Sequence, residues 1–448
     1  KPHILFLDAK GYEVTTALSG DEAVDIVRED KGIKAVLLDE NMPGISGLEA
    51  LLKIKQLNND LPVIMITKSE EEQIMEDAIG GKIADYLIKP VNPNQILLSL
   101  KKALDNKRLV SEKTNTDYRK EFGQIGMSIN DNLDWQEWAE LYKKIIYWEL
   151  EMDKLQDKSM FDVLKMQKSD ANNQFFKFVE RNYIHWLSGK DPNPPVMSHT
   201  LIKNKFINEL SSNEPVFFIL IDNLRFDQWK VIQPLLQDYY EVASEESYFS
   251  ILPTATQYAR NAIFSGLMPS EMEKRFPDFW LNDEEEGGKN MHEEAFMQAQ
   301  LKRLGKEVKM SYTKITNFNA GKKLSDNISN LLQNKLNIIV YNFVDMLSHA
   351  RTEMEVIREL AENESAYRGI TYSWFEHSPL FDIIKQLAAK KIKVVITTDH
   401  GTVHVKEPTK ILGDKNVNSN LRYKQGKALE YNAKEVFEIK NPSDAFLP

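Results

Sequence analysis

Short apolar runs that end in a polar residue recur through the first third of the chain and predict β-strands. Three of them cover residues 35–39, 62–67 and 84–90, and a shorter one covers residues 12–17. Segments with helical spacing separate them, beginning with a helix that ends near Gly11. Because strands that alternate with helices form a parallel sheet wrapped by helices, this third of the chain predicts an open α/β domain.

The spacing of apolar residues changes to a helical period between about residues 110 and 205. Helices are predicted over about residues 114–130, from Trp135 onward, and over residues 175–187. Asp134 and Glu137 have the spacing of a capping box at the start of the second helix. Its apolar stripe consists of Trp138, Leu141, Tyr142, Ile145 and Trp148. Aromatic residues at helical spacing favour core packing over base stacking, so we predict a three-helix bundle.

Apolar runs that predict strands and end in an acidic residue are found again in the last half of the chain, from about residue 206. They cover residues 216–222, 338–345 and 394–399, and their last residues are Asp222, Asp345 and Asp399. The carboxyl ends of parallel strands meet at one edge of an open α/β sheet, where such folds bind ligands. We therefore expect these carboxylates to lie close together in a second α/β domain.

A carboxylate beside an imidazole suits a divalent transition metal, and this domain offers the pairing twice. Asp345 and His349 are one helical turn apart, so both side chains can face one ion. Asp222, Asp399 and His400 can bind a second ion. The alternative for Asp399 and His400 is a polar turn after a strand, with a histidine that protein groups satisfy.

Thr256 is the candidate nucleophile near this edge. It lies where residues 251–257 turn into a helix that runs to about Phe264, and backbone N–H groups at a helix N-terminus favour anions. A threonine hydroxyl becomes a good nucleophile when a metal lowers its pKa. Arg260, one turn further on, and Arg225 are candidate phosphate contacts, each with the alternative of a surface arginine.

Composition limits the partners and the metal chemistry. The 448 residues predict two or three domains, and the net charge of −10 argues against a protein that coats nucleic acid, because that role needs a basic face. Since there is no cysteine, disulfides and thiolate ligands are excluded, and a metal must bind Asp, Glu, His or hydroxyl groups. No apolar run reaches the length of about 18 residues that a membrane span needs, and we expect a cytoplasmic protein.

The first three long strands end in a carboxylate, a hydroxyl and an ammonium group, namely Asp39, Thr67 and Lys89. Together these groups can accept and hold a phosphoryl group. The segments 39–44 (DENMPG) and 86–90 (YLIKP) resemble motifs of the receiver domain of two-component response regulators, which has a flavodoxin-like fold. The resemblance implies Asp39 as the phosphorylated residue, Thr67 and Tyr86 as switch residues, and Lys89 as a phosphate contact.

Six residues of the last domain, taken in order, resemble the active-site pattern of the alkaline phosphatase superfamily in its PglZ branch. They are Asp222, Thr256, Asp345, His349, Asp399 and His400. The threonine nucleophile is closer to the phosphodiesterase members, and the absence of cysteine excludes the sulfatase pattern. The resemblance implies two zinc ions and a phosphodiesterase. We hypothesise that Thr256 is both a zinc ligand and the nucleophile, which forms a phosphothreonine intermediate.

Two features of these families are not found in the 448 residues. Receiver domains open with a strand that ends in two acidic residues, which bind Mg²⁺, whereas this chain begins in what corresponds to the first helix. The superfamily also carries a late histidine that completes the site of Asp345 and His349. We expect both features to lie beyond the ends of this sequence, which leaves that zinc site with two protein ligands here.

The order of a receiver domain (residues 1–109), a helical bundle (110–205) and a PglZ domain (206–448) resembles the PorX-type response regulators, a family tied to type IX secretion in Bacteroidetes. The resemblance implies a phosphorylation-controlled zinc phosphodiesterase that dimerises and cooperates with a sensor histidine kinase and a sigma factor. Its substrate would be a phosphodiester such as a small nucleotide. No helix-turn-helix is evident, so we expect no direct DNA binding. The alternative is a zinc-stabilised docking scaffold for the sigma factor, which needs no nucleophile.

Overall fold

The computed structural model describes residues 2–67, 83–129, 132–155, 160–282, 288–405, 407–413, 417–418 and 420–448, with residues 105–113 and 115 described as helical backbone only. The chain forms two compact units. The N-terminal unit comprises Lys1–Gly123 with Lys154–Met160, and the C-terminal unit comprises Gln124–Asp153 with Phe161–Pro448. The helix expected between the second and third long strands falls on residues 68–82, outside the described residues. No described helix is long and apolar enough to cross a membrane.

The described part of the N-terminal unit is built on a parallel sheet with the strand order β1–β2–β3. Its strands are β1 (Val36–Asp39), β2 (Val63–Thr67) and β3 (Asp85–Ile88), and the first helices are α1 (Pro2–Asp8), α2 (Gly20–Glu29) and α3 (Gly47–Leu57). Leu51 and Ile54 of α3 are buried against β2. Gly47 lets α3 begin close to the end of β1, because a Cβ atom there would lie 2.3 Å from the backbone oxygen of Asp39.

The strand predicted over residues 12–17 is wrong. These residues follow Gly11, whose φ of +84° ends the turn after α1, and they carry no strand pairing. A strand needs a neighbour to satisfy its backbone groups, and no described strand pairs with this segment. Tyr12 and Val14 still pack against the core around Leu7, and this packing accounts for the apolar pattern.

Three long helices follow, α4 (Pro93–Ser128), α5 (Trp135–Asp153) and α6 (Phe161–Leu187). The helix predicted over about residues 114–130 is the last part of α4, so the predicted boundary between residues 109 and 110 lies inside one helix. The capping box of α5 is confirmed, because the backbone N–H of Glu137 donates to Asp134 Oδ1 at 2.8 Å and that of Asp134 donates to Glu137 Oε2 at 2.9 Å. The rings of Trp138 and Phe175 join α5 to α6 at 5.5 Å.

The α/β part of the C-terminal unit has a parallel sheet with the order β5–β6–β4–β7. The strands are β4 (Val216–Ile221), β5 (Met310–Ile315), β6 (Leu336–Tyr341) and β7 (Lys393–Thr397). The helices around them are α7 (Phe226–Ile232), α8 (Thr256–Ser265), α9 (Pro269–Arg275), α10 (Glu293–Arg303), α11 (Phe318–Asn327), α12 (Phe343–Glu353), α13 (Glu355–Leu360), α14 (Glu364–Glu376) and α15 (Pro379–Ala389). Every residue of β4 and β6 is buried, as expected for the centre of a sheet covered on both faces.

The buried Arg368 of α14 joins α5 to this α/β part. Its guanidinium donates to Glu149 and to Asp227, each at 2.8 Å, and also pairs with Asp153. Glu149 and Asp153 lie on α5, whereas Asp227 lies on α7. A buried charge that loses its partners costs about 3–5 kcal/mol, so this group fixes α5 on the α/β part of the same unit.

Candidate functional site

Three candidate metal ligands come together at the carboxyl edge of the sheet in the C-terminal unit. Asp222 directly follows β4, and Asp399 and His400 follow β7, its hydrogen-bonded neighbour. The three side chains are buried, and each offers a ligand atom that lies within 4.8 Å of the others. The pairing of β4 with β7 explains why residues so far apart in the sequence meet here.

Asp222 offers this site one buried oxygen without a hydrogen-bond partner among the described residues. Its Oδ2 pairs with Arg260, whereas its buried Oδ1 has no hydrogen-bond partner and lies 3.6 Å from His400 Nε2. A buried carboxylate oxygen without a partner is costly, and carboxylate and imidazole groups are ligands that zinc prefers. The donor set therefore suits a divalent metal ion between Asp222, Asp399 and His400.

The protonation of these groups follows from their burial and their mutual charges. Burial, with repulsion from Asp399 next, raises the pKa of Asp222 to about 8. Burial also opposes ionisation of Asp399, but the charge of Arg260 and the hydrogen bond from its Nε hold the pKa of Asp399 below its usual value. Burial lowers the pKa of His400, which keeps the imidazole neutral, the form that binds metals.

Thr256 lies beside this cluster, at the first position of α8. Its Oγ1 is 3.0 Å from His400 Nε2. Ala255 precedes it in an extended conformation, so the chain turns into the helix at the threonine itself. The positive end of the helix dipole thus lies at the hydroxyl, where it favours a phosphate group.

The two candidate arginines are held by carboxylates inside the protein. Arg260 is fully buried, its Nε donates to Asp399 Oδ2 at 2.9 Å, and it also pairs with Asp222. Arg225 donates to Asp227 at 2.7 and 2.9 Å and pairs with Glu364 at 2.5 Å. The alternative of a surface arginine is therefore wrong for both residues.

Asp345 is not the end of a strand, which corrects the prediction. β6 stops at Tyr341, because its neighbours β4 and β5 pair with it no further than this residue. Asn342 then precedes α12, and Asp345 lies in the first helical turn. The one-turn spacing is as predicted, with 3.6 Å between Asp345 Oδ2 and His349 Nε2. The His349 side chain is 69% exposed, in contrast to the three buried ligands.

Two further residues organise the site and are not among those predicted from the sequence. Asn223 is buried with a φ of 60°, its backbone N–H donates to Asp399 Oδ1 at 3.2 Å, and its Nδ2 donates to Asp345 Oδ1 at 3.1 Å. An asparagine directly after a strand was an available signal, because asparagine tolerates this left-handed conformation. Glu293 of α10 lies 3.9 Å from Arg260 Nη1. The residues around Glu293 in the sequence do not indicate this contact.

The receiver residues in the N-terminal unit also lie at strand ends. Asp39 and Thr67 are the last residues of β1 and β2, and Lys89 directly follows β3. Lys89 pairs with Asp39 Oδ2, and the Thr67 hydroxyl donates to Glu40. Tyr86 packs from β3 against the apolar core. The carboxylate, the hydroxyl and the ammonium group are therefore presented at one edge of the sheet.

A cavity of about 650 Å³ lies within the C-terminal unit and is lined in part by residues 398–401. Its wall is rich in aromatic residues, including Trp138, Phe175, Trp186 and Phe249. A cavity of this size and lining can hold an organic group of moderate size.

Three parts of the chain match known families. Residues 202–445 match the family described as the BREX system PglZ alkaline phosphatase-like domain, which is more than half of the 448 residues. Residues 108–187 match the PorX response regulator linker domain, and residues 4–101 match the response regulator receiver domain. These matches confirm the predicted order of receiver, linker and phosphatase-like domains.

Curated relatives resemble only part of the chain. The transcriptional regulatory protein ZraR of Escherichia coli O157:H7 is 33% identical over 118 residues, which are 26% of this chain and 26% of that protein. The transcriptional regulatory protein CitT of Halalkalibacterium halodurans is 31% identical over 103 residues, which are 23% of this chain and 45% of that protein. The chain thus spans between a quarter and a half of the length of these relatives.

Solved structures of receiver domains are also similar to part of the chain. A CheY-like receiver domain protein from Methanospirillum hungatei is 27% identical and covers 23% of this chain and 83% of that chain, with a TM-score of 0.22. A receiver domain protein from Clostridium thermocellum is 30% identical and covers 24% of this chain and 85% of that chain, with a TM-score of 0.23.

Proposed function

The chain belongs to the PglZ family of alkaline phosphatase-like proteins, and from this premise we propose that its C-terminal unit is a zinc-dependent phosphodiesterase. The observation that carries the proposal is the meeting of Asp222, Asp399 and His400 with Thr256 at one sheet edge, around an unpartnered carboxylate oxygen. A nucleophile beside a metal site, at a helix N-terminus, is an arrangement suited to phosphoryl transfer.

Separate residues would bind the metal ions and hold the metal ligands in position. Asp222, Asp399 and His400 would hold one zinc ion, with Thr256 as a further ligand, and Asp345 and His349 would contribute to a second. Bound zinc lowers the pKa of a hydroxyl group and stabilises negative charge on phosphate oxygens. Asn223 would keep Asp399 and Asp345 in place through its two hydrogen bonds.

Thr256 carries out the chemical step. Its Oγ gives up a proton and attacks the phosphorus atom in line, so that an Oγ–P bond forms while the bond to one ester oxygen breaks. The released oxygen takes up a proton and departs as an alcohol. Water then attacks the phosphothreonine, which restores the threonine hydroxyl and releases a phosphate monoester. The N-terminus of α8 favours the negative charge throughout.

Hydrolysis of bis(4-nitrophenyl) phosphate by the full chain tests the proposal. We expect release of nitrophenolate by zinc-loaded protein, its loss after treatment with a chelator, and its return when zinc is added back. The number of bound zinc ions is measured on the same samples by atomic absorption. Protein that binds zinc but gives no turnover with a panel of phosphodiesters would support the docking scaffold instead.

The chain is a response regulator with a receiver domain, which implies a phosphodonor such as a sensor kinase. We propose that Asp39 accepts the phosphoryl group, with Mg²⁺ bound beside it. We further propose that phosphorylation drives dimerisation of a cytoplasmic protein that binds a sigma factor and regulates type IX secretion.

The effect of phosphorylation on dimerisation is measured by analytical ultracentrifugation. In protein that carries the receiver's first strand, a phosphoryl donor with Mg²⁺ should shift the sedimentation coefficient from monomer to dimer. Asp39→Asn, which has no carboxylate to phosphorylate, should remain monomeric under the same conditions. Identical profiles with and without the donor would contradict the proposal.

A further inference from the structure

We propose that Arg422 is a phosphate-binding residue of this active site, which holds the non-bridging oxygens of the phosphodiester. The inference rests on the proposed function, since it assigns a further residue to the same reaction. Arg422 belongs to the segment after residue 420 and matches none of the motifs in the sequence.

The position of Arg422 is fixed by two loops that carry reacting groups. Its Nη1 donates to the backbone oxygens of Thr254 and Gly401, each at 2.8 Å. Thr254 lies two residues before the nucleophile Thr256, and Gly401 directly follows His400. The guanidinium group is therefore held between the loop of the nucleophile and the loop of the metal ligands.

The charge of Arg422 has no ion-pair partner in the described part of the chain. No described carboxylate lies within ion-pair distance of Arg422. Its side-chain hydrogen bonds to described residues all come from Nη1, which also approaches Thr254 Oγ1 at 3.4 Å. Arg225, by contrast, pairs with two carboxylates and Arg260 with three. Arg422 thus differs from its neighbours in being available to a ligand.

The Arg422 charge lies beside the loop of the metal ligands, because Nη1 binds the backbone oxygen of Gly401, the residue after His400. The carboxylates whose charges act on Arg422 are Asp345, Asp399 and Asp222, in decreasing order. Partial desolvation lowers the pKa of the exposed Arg422, these carboxylates oppose that effect, and an arginine remains charged at neutral pH. The substrate would then face two positive groups. One is a metal ion bound by these carboxylates, and the other is the guanidinium group of Arg422.

The remaining donors have the geometry that a phosphate needs. Because both carbonyl oxygens bind Nη1, the edge formed by Nε–H and Nη2–H has no hydrogen-bond partner among the described residues. This edge can donate two parallel hydrogen bonds to two oxygens of one phosphate group. Negative charge on these oxygens grows as Thr256 attacks, so the contact should be stronger in the transition state than in the ground state.

Arg422→Met tests the proposal, with Arg422→Lys as the conservative variant. We expect kcat/KM for bis(4-nitrophenyl) phosphate to fall about 10²-fold in Arg422→Met. The decrease should be smaller in Arg422→Lys, which keeps the positive charge but not the two parallel hydrogen-bond donors. The affinity of zinc-loaded protein for inorganic phosphate, measured by calorimetry, should fall about tenfold. Bound zinc and Tm should remain those of the wild type.

Arg358→Met is the matched control, because Arg358 also donates to a backbone oxygen, that of Thr352, at an exposed position. It should change neither turnover nor phosphate affinity. Unchanged phosphate affinity in Arg422→Met would overturn the proposal, as would a loss of zinc or a lower Tm that accounts for the lost turnover. If the wild type binds phosphate through Arg422 but hydrolyses no phosphodiester, the proposed function fails while this assignment stands.

Discussion

Replacing Thr256 with valine should reduce phosphodiester hydrolysis by roughly 10⁴-fold or more while zinc stays bound. Valine has the shape of threonine but no hydroxyl, so the Oγ–P bond cannot form. Asp222, Asp399 and His400 remain in place, and their ligand atoms still meet at the sheet edge. Turnover of bis(4-nitrophenyl) phosphate and the zinc content of the same preparation are the two measurements.

Two further variants sharpen this experiment. Thr256→Ser keeps a hydroxyl at the first position of α8 and should retain substantial activity. Thr254→Val removes a neighbouring hydroxyl whose one described contact is long, at 3.4 Å from Arg422, and should leave the rate within a few fold of the wild type. Equal turnover of Thr256→Val and the wild type would exclude Thr256 as the nucleophile.

Replacing Arg260 with methionine should strongly destabilise the metal-free C-terminal unit. Arg260 is fully buried between Asp222, Asp399 and Glu293, so its loss leaves buried carboxylates without their counter-charge. Breaking a buried ion pair in this way costs about 3–5 kcal/mol. Urea unfolding followed by tryptophan fluorescence, in the presence of a chelator, measures the change against Arg358→Met, an exposed control.

The destabilisation caused by Arg260→Met should increase with pH. The Arg260 charge lowers the pKa of both Asp222 and Asp399, so these values rise when it is removed. A carboxyl whose folded pKa is raised stabilises the protein fully below its unfolded pKa, and this contribution disappears as the pH rises through the folded value. The free energy of unfolding of Arg260→Met should therefore be close to that of the wild type at pH 4, and the difference should be largest near pH 8. A loss independent of pH would contradict the electrostatic explanation.

The sequence was most informative where short-range pattern and topology agree. The apolar runs that end in Asp39, Asp222 and Asp399 are strands, and parallel pairing alone brings Asp222 to Asp399 and His400. Hydrophobic periodicity gave wrong predictions where the formation or length of a strand depends on its neighbouring strands. Residues 12–17 have the composition of a strand without a paired neighbour, and β6 ends before Asp345 because its neighbours end there.

The sequence was least informative about contacts between distant segments. The burial of Arg260 among three carboxylates depends on the packing of α8 and α10 against the sheet, which no local pattern encodes. Arg422 lies 21 residues from Gly401, whose backbone oxygen it binds, in a stretch without a helical or strand period. A backbone carbonyl exists at every residue, so such a contact has no signature in the sequence.

The Arg368 ion pairs have a consequence for how such proteins can evolve. Glu149 and Asp153 come from the linker helix α5, yet they neutralise a cation of the phosphatase-like part. Recombination between residues 153 and 206 would separate the cation from two of its three carboxylates. We therefore expect the two segments to be inherited as one module, and a hybrid gene with a foreign linker to yield insoluble protein. The receiver, whose compact unit excludes these residues, is freer to be exchanged.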